Sequence, residues 1–393
     1  MKLRILVVTT SRADYGLLKP LVEALSAESD FEVLLAATGS HLSEHHGHTL
    51  DFITSDGFNL AAQILMNPPS NDAAGTAQAV AAGIQGFSQA ITGLSPHLMV
   101  VLGDRFELLA ACDAALLHRL PIAHLHGGER TEGALDEAIR HMVTKMAALH
   151  FPAMAEYGRR IVQMGERPER VFVVGALGID NALNVMPLSR AELSEQVGVD
   201  FNQPLALMTF HPVTLDGEAE ALRQIDEVLG AVLAQDLPTL VTMPNADPAS
   251  DVIYRRLLET SQQHPEKLQL RKNLGQRGYL SAMRYATLML GNSSSGVIET
   301  PSFALPTVNI GDRQKGRFLP QNVIQVPCER AAISGALAQA RSTEFKESLK
   351  GLSSPFGKGD AAQQITQVLR QFKDRLLRQP AGLLKKSFFD LPS

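Results

Sequence analysis

The sequence predicts an α/β fold of two successive halves, each a parallel sheet covered by helices on both faces. Three observations carry this. At 393 residues the chain is too long for one ordinary core, and two domains are the natural division. Short apolar runs recur, each followed by a small or polar turn and then by a longer stretch with helical spacing. Runs that are apolar throughout belong to parallel strands buried on both faces. The recurrence also halts once, at LGIDNALNVMPLSR (177–190), before restarting.

In the first half the expected strands are ILVVTT (5–10), FEVLLAAT (31–38), HLMVVLG (97–103), IAHLH (122–126) and VFVVG (171–175). In the second they are PLALMTF (204–210), PTLVTMP (238–244), ATLMLGN (286–292) and LPTVNIG (305–311). The stretch 358–380 reads as one more helix, and the two Phe of KKSFFDL beyond it are expected to dock on the body.

Composition narrows the function. Hydrophobic content of 45% and charged content of 20% belong to a globular protein. A net charge of −5 with no Lys/Arg block argues against a nucleic-acid surface. The start, MKLRILVVTTSRAD, has too short an apolar core for a signal peptide, and no apolar stretch approaches membrane length. A cytoplasmic protein without membrane contact is the expectation. Cys112 and Cys328 lie far apart and make no disulfide framework, and Cys112 falls in a helical stretch as a core residue.

Ligands of doubly wound sheets sit beyond the carboxyl ends of strands, and the polar motifs fall there. TTSRADYG (9–16) lacks GxGxxG, so no dinucleotide is indicated, but Arg12 could reach a phosphate or carboxylate. GDR (103–105) puts Asp104 and Arg105 at a strand end, and HPVT (211–214) does the same for His211. In GNSSSGVIE (291–299), small residues permit close backbone approach, and a helix starting near Ser294 or Ser295 would offer N–H groups to an anion. Glu299 lies one turn further on. HLSEHHGH (41–48) has one zinc-protease spacing, but Gly47 interrupts the helix it would need. No metal is expected, and His41 is left as a donor to substrate.

The densest signal is HLHGGERTEGALDEAIRH (124–141), with nine ionisable side chains in eighteen positions. Asp136 and Arg140 are i,i+4 and would share an exposed helix face. Carboxylates converging on one pocket raise each other's pKa and suit general acid/base work. A solvated loop is the competing reading.

Taken together, SRADYG, GDR, HLHGGE, DEAIRH, HP, PNAD, GNSSSG and GDRQKGR resemble the hydrolysing UDP-N-acetylglucosamine 2-epimerases, most closely the bacterial enzymes of sialic acid synthesis. The likeness implies a GT-B fold, with two Rossmann-like domains whose parallel sheets face a central cleft. It implies an N-terminal domain at 1–180 on the sugar side and a UDP-binding domain at 181–365. Residues 366–393 would be a helix and tail returning to the N-terminal domain. Arg12, His211, Ser293, Ser294, Glu299 and Arg313 match positions that hold UDP, and Arg105, Asn245 and Ser295 fall in the same substrate-binding motifs. Asp104, Glu129, Asp136 and Arg140 match positions lining the sugar, with His41 beside them. One departure matters: some family members read H-x-E-G-G-E, and here that Glu is His126. Its acid/base role must pass to Glu129, to His126 or to water.

The implied reaction takes UDP-N-acetylglucosamine and water to UDP and N-acetylmannosamine through a 2-acetamidoglucal, without NAD or metal. The same reaction on UDP-2,4-diacetamido-2,4,6-trideoxyglucose, on the legionaminic acid route, is the near alternative. A GT-B glycosyltransferase or a non-catalytic nucleotide-sugar-binding protein is the alternative of another class. The likeness also implies a homodimer or homotetramer.

Overall fold

The structure is a computed structural model and describes residues 1–42, 49–66, 72–131, 135–213, 217–243 and 250–391. It divides into two compact units. The first comprises Met1–Glu129, Leu135–Asn181 and Phe356–Ser393; the second comprises Arg130–Ala134 and Ala182–Pro355.

The first unit is built on a six-stranded sheet, with β1 (Leu3–Thr9), β2 (Phe31–Thr38), β3 (Leu60–Ile64), β4 (Leu98–Leu102), β5 (Ile122–Leu125) and β6 (Leu149–Phe151) in the order β3-β2-β1-β4-β5-β6. Every pairing is parallel. Side chains alternate across a strand, and β1 shows that both faces are covered. Leu3, Ile5 and Val7 join one buried cluster, with Leu18, Leu21 and Leu25 of the helix Arg12–Ser26. Leu6 and Val8 join another, with Phe87, Leu108 and Cys112. Cys112 is a core residue, as expected.

The second unit repeats the plan. Its strands are β7 (Ala206–Thr209), β8 (Thr239–Thr242), β9 (Leu268–Arg271), β10 (Leu288–Gly291), β11 (Thr307–Ile310) and β12 (Val323–Val326), ordered β12-β11-β10-β7-β8-β9. Again all pairings are parallel. Ala206 and Met208 face one cluster while Leu205 and Leu207 face the other. In each sheet the chain starts at the centre and builds outward in both directions. The reversals lie between β1 and β4 and between β7 and β10, where a crevice opens at the carboxyl ends.

VFVVG departs from its expected role. Residues 171–175 meet β6 through one bridge, His150 to Val171, with Phe172 and Val174 donating to the carbonyls of His150 and Pro152. Val173 is 46% exposed, so this is an edge fragment and not a buried strand.

The helix expected at 358–380 spans Ala361–Arg378 and contributes Ile365, Leu369, Phe372 and Leu376 to the first unit's core. Its N-terminal amides at Ala361 and Ala362 donate to the buried Asp180 carboxylate at 3.0 and 2.7 Å, which satisfies donors that a helix start leaves open. Among the described residues no helix is long and apolar enough to cross a membrane.

Candidate functional site

In the first unit the expected residues gather at the carboxyl ends of β1, β4 and β5. The HGGE loop leaves β5 with His126 in the left-handed region (φ 62°) and Gly128 likewise (φ 78°). A Cβ on Gly128 would strike the Tyr157 carbonyl, so glycine lets the loop press onto the helix Ala155–Gln163. Beneath the loop, His124 meets the Gly103 carbonyl at 2.8 Å and Thr144 Oγ1 at 3.1 Å. Burial pushes its pKa down to about 3, so it is a neutral tie between neighbouring strand ends.

Arg140 organises this cluster. It is 1% exposed, and its guanidinium donates to the Asp104 carboxylate, to Glu137 at 2.8 Å and to the Glu129 carbonyl at 3.0 Å. The expected exposed pair with Asp136 is therefore corrected: Arg140 lies on the helix's buried face, and the fork is taken by Asp104 and Glu137. Asp136 instead acts on Arg105. Burial works against the Arg105 charge, but Glu107, Asp14 and Asp136 outweigh it and hold that pKa above its ordinary value. Arg105 also donates to the buried Glu107 at 2.9 and 3.2 Å.

Glu129 is 6% exposed and lies 2.7 Å from His126 Nδ1. The Nε2 of His126 is buried and has no hydrogen-bond partner among the described residues. An imidazole that donates from Nδ1 to a carboxylate presents its other nitrogen as a base.

Arg12 opens the helix after β1, where Ser11 caps it by accepting from Asp14 N–H. The Arg12 guanidinium stands 4.3 Å from the Phe52 ring centroid. His41 is fully buried, with Nε2 at 3.0 Å from Thr9 Oγ1 and Nδ1 at 2.8 Å from Thr49 Oγ1. Both ring nitrogens are engaged by threonine hydroxyls within the protein. Residues 43–48, which hold the rest of the HxxEH pattern, lie outside the described residues.

In the second unit the cluster forms at the ends of β7, β10 and β11, and its node is Asn292. The Asn292 side chain accepts from His211 N–H at 2.7 Å and donates to the His211 carbonyl at 2.8 Å. Its own carbonyl accepts from Arg313 at 3.2 Å and Gln314 at 2.9 Å. Gly291 (φ 131°) makes this possible, because a Cβ there would collide with the Thr209 carbonyl. Burial, helped by the Arg313 charge, lowers the His211 pKa to about 3 and keeps the ring neutral.

The serine run is less helical than expected. The helix after β10 covers only Ser295–Ile298, and a 3-10 turn follows at Thr300–Phe303. Pro301 ends it by removing a donor and restricting Thr300, so little helix dipole is available. What remains is a cluster of polar side chains. Tyr279 lies among Ser293, Ser295 and Glu299, with its hydroxyl 3.1 Å from Thr209 Oγ1, and burial raises its pKa to about 12. Asn245 lies outside the described residues.

The structure thus brings Arg12, Asp104, Arg105, His126, Glu129, Asp136 and Arg140 to the ends of central strands in one unit. His211, Ser293, Ser294, Ser295, Glu299 and Arg313 are placed likewise in the other. Sequence reasoning missed Asp14, Glu107, Glu137 and Asn292, although Asp14, Glu137 and Asn292 stand inside quoted motifs. Tyr279 had no signal, being one tyrosine on an amphipathic helix.

A family model described as UDP-N-acetylglucosamine 2-epimerase matches residues 23–370. The GDP/UDP-N,N'-diacetylbacillosamine 2-epimerase (hydrolysing) of Campylobacter jejuni is 35% identical, over 88% of this chain and 89% of that protein. The polysialic acid biosynthesis protein P7 of Escherichia coli is 32% identical, over 99% of this chain and 98% of that protein. The crystal structure of the Neisseria meningitidis UDP-GlcNAc 2-epimerase bound to UDP-GlcNAc superposes with a TM-score of 0.81, at 17% identity, covering 94% of this chain and 100% of that one. This last likeness concerns the fold. The matched span and the two relatives establish that the chain belongs to the UDP-N-acetylglucosamine 2-epimerase family.

Proposed function

We propose that the protein is a hydrolysing 2-epimerase that converts UDP-N-acetylglucosamine and water into N-acetylmannosamine and UDP. The observation that carries this is the buried Arg140, which gathers Asp104, Glu137 and the Glu129 loop into one array. Its acid/base groups are of the kind that elimination at carbon 2 requires. The hydrolysing activity in the name of the Campylobacter relative supports the reading, as does the polysialic acid role of the Escherichia one.

In the proposed course, cleavage of the bond from carbon 1 to the diphosphate begins first, and the developing oxocarbenium ion acidifies the proton on carbon 2. A base removes that proton, its bond electrons form the double bond of 2-acetamidoglucal, and UDP leaves with the other pair. Water then adds its oxygen to carbon 1, and a proton returns to carbon 2 on the opposite face. Carbon 2 ends at its original oxidation level, so no redox partner enters the balance. The His126–Glu129 pair takes the place of the family glutamate, with Glu129 orienting the ring and Nε2 moving the proton. Asp104 and Asp136 are the further acid/base candidates. The second unit's cluster of His211, Asn292, Ser293, Glu299 and Arg313 holds UDP, and its charge-assisted contacts stabilise the leaving diphosphate. The family likeness also supports a cytoplasmic homodimer or homotetramer.

A second reading keeps the mechanism and changes the sugar. The Campylobacter relative is named for N,N'-diacetylbacillosamine, which is 2,4-diacetamido-2,4,6-trideoxyglucose, the sugar of the near alternative that the family resemblance implies. Purified protein given each UDP-sugar separately, with UDP and free sugar followed by NMR, separates the two. UDP and N-acetylmannosamine from UDP-N-acetylglucosamine are expected. Turnover of the diacetamido sugar alone transfers the assignment to the second reading. A product still attached to UDP overturns hydrolysis.

A further inference from the structure

Asp136, Glu137 and Arg140 stand in the first turns of the helix Leu135–Met146, so that helix's placement decides where they stand. A helix leaves its last carbonyls without intrahelical donors. Here donors arrive from the far end of the chain. The Lys386 ammonium donates to the carbonyls of Lys145 at 2.8 Å and Ala147 at 2.7 Å. Its third contact is the Glu166 carboxylate at 2.6 Å. An ammonium has three protons, and each has an acceptor. A cation at this position also meets the negative end of the helix dipole.

Glu166 is 1% exposed and binds Lys145 at 2.6 Å and His150 at 3.0 Å as well. Lys386 is therefore bonded both to the helix end and to a knot that fastens it to β6. Burial pushes the Glu166 pKa up, but hydrogen bonds from His150, Lys145 and Lys386 overcome this and bring it to about 2. The carboxylate stays ionised. The neighbouring tail is held too: Phe389 N–H donates to the Gly165 carbonyl at 2.9 Å, and the Phe388 ring lies against Gly165. Of the two Phe expected to dock, Phe388 lies against Gly165 yet stays 65% exposed and Phe389 is half-buried, while Lys386 is 19% exposed.

We propose that Lys386 is a positioning residue, which locks from the C-terminal tail the helix on which Asp136, Glu137 and Arg140 stand. The hydrolysing-epimerase reading supplies only what those three groups do; the lock itself does not depend on it.

The test compares Lys386→Met, which keeps the stem and removes the donors, with Lys386→Arg in the full-length protein. For Lys386→Met, kcat for UDP release is expected to fall about tenfold or more with KM within about threefold. Amide exchange across 135–148 should quicken by about tenfold, with the second unit unchanged. Lys386→Arg should restore both. Where the Met variant does not fold, Lys386→Gln carries the same expectation. Unchanged exchange in the helix, unchanged kcat, or a loss that arginine does not rescue overturns the proposal. A wild type that releases no UDP from any UDP-sugar sinks the reaction reading, and the exchange measurement still decides the lock.

Discussion

Arg140 and Asp104 stand 36 residues apart in sequence and share a hydrogen bond in which a 1% exposed guanidinium holds a quarter-exposed carboxylate. The same fork reaches the Glu129 carbonyl, so one side chain fixes the ends of β4 and β5 against the helix that follows. Lysine cannot replace a planar fork with several fixed donors. Removing one partner of a buried pair typically costs about 3–5 kcal/mol. Arg140→Lys is expected to lower the Tm and to cut kcat by about a hundredfold or more. Wild-type turnover in that variant would deny Arg140 its organising role.

Asp104→Asn and Asp136→Asn should each reduce turnover by about a hundredfold or more while leaving UDP affinity near wild type. At 2.7 Å, His126 and Glu129 act as one pair. His126→Ala and Glu129→Gln are therefore expected to be about equally severe, with a double variant little worse than either. Losses that multiply would show two independent groups.

The second cluster is tested by UDP binding. Asn292→Ala removes both bonds to the His211 backbone and disturbs the carbonyl that Arg313 and Gln314 share. Arg313→Ala, Glu299→Ala and His211→Ala remove proposed contacts directly. Loss of a charge-assisted bond is worth about 1.5–3 kcal/mol, or roughly tenfold to a hundredfold in Kd by calorimetry. If all four variants bind UDP like wild type, the nucleotide site lies elsewhere.

Acid should weaken the fold by a route that the buried imidazoles set. Burial lowers His41 to about 4 and both His124 and His211 to about 3, from an ordinary 6.5. The folded state binds fewer protons, so their contribution is complete above the unfolded pKa and is lost as pH falls through 6.5 toward 3 or 4. Each group contributes a slope of up to about 1.4 kcal/mol per pH unit in that window. His150 is lowered by burial and acts in the same sense, while Asp14, raised by burial, opposes it. Tm should fall steadily from pH 7 to pH 5, less steeply in His124→Gln. A flat profile in the wild type would contradict the neutral assignments.

The reading of the fold succeeded where strands are central and failed at the edges. The eight runs that became β1, β2, β4, β5, β7, β8, β10 and β11 are interior strands, buried on both faces, and so apolar throughout. The four missed strands, β3, β6, β9 and β12, are the edge strands of the two sheets. LAAQI alternates, LQLR and VIQV are mostly half-exposed, and LHF is three residues long, so none has a continuous apolar signature. VFVVG had that signature and pairs only at its margin.

The site was legible as motifs but not as a network. That Arg140 faces inward, that Glu137 and not Asp136 pairs with it, and that Lys386 closes the helix from far along the chain are consequences of packing. Local spacing offers Arg140 both Glu137 at i,i+3 and Asp136 at i,i+4 and does not choose between them, and Lys386 lies far along the chain. The burial of His41 between Thr9 and Thr49 was likewise hidden, because a histidine beside a strand end looks the same in sequence whether it faces solvent or two threonines.

In hydrolytic 2-epimerisation carbon 2 loses its proton and the sugar leaves UDP by hydrolysis. Turnover of UDP-N-acetylglucosamine in heavy water, with the product examined by NMR, tests both halves at once. Free N-acetylmannosamine carrying deuterium at carbon 2 is expected. Free sugar with hydrogen retained at carbon 2, or a deuterated product still bound to UDP, would contradict it.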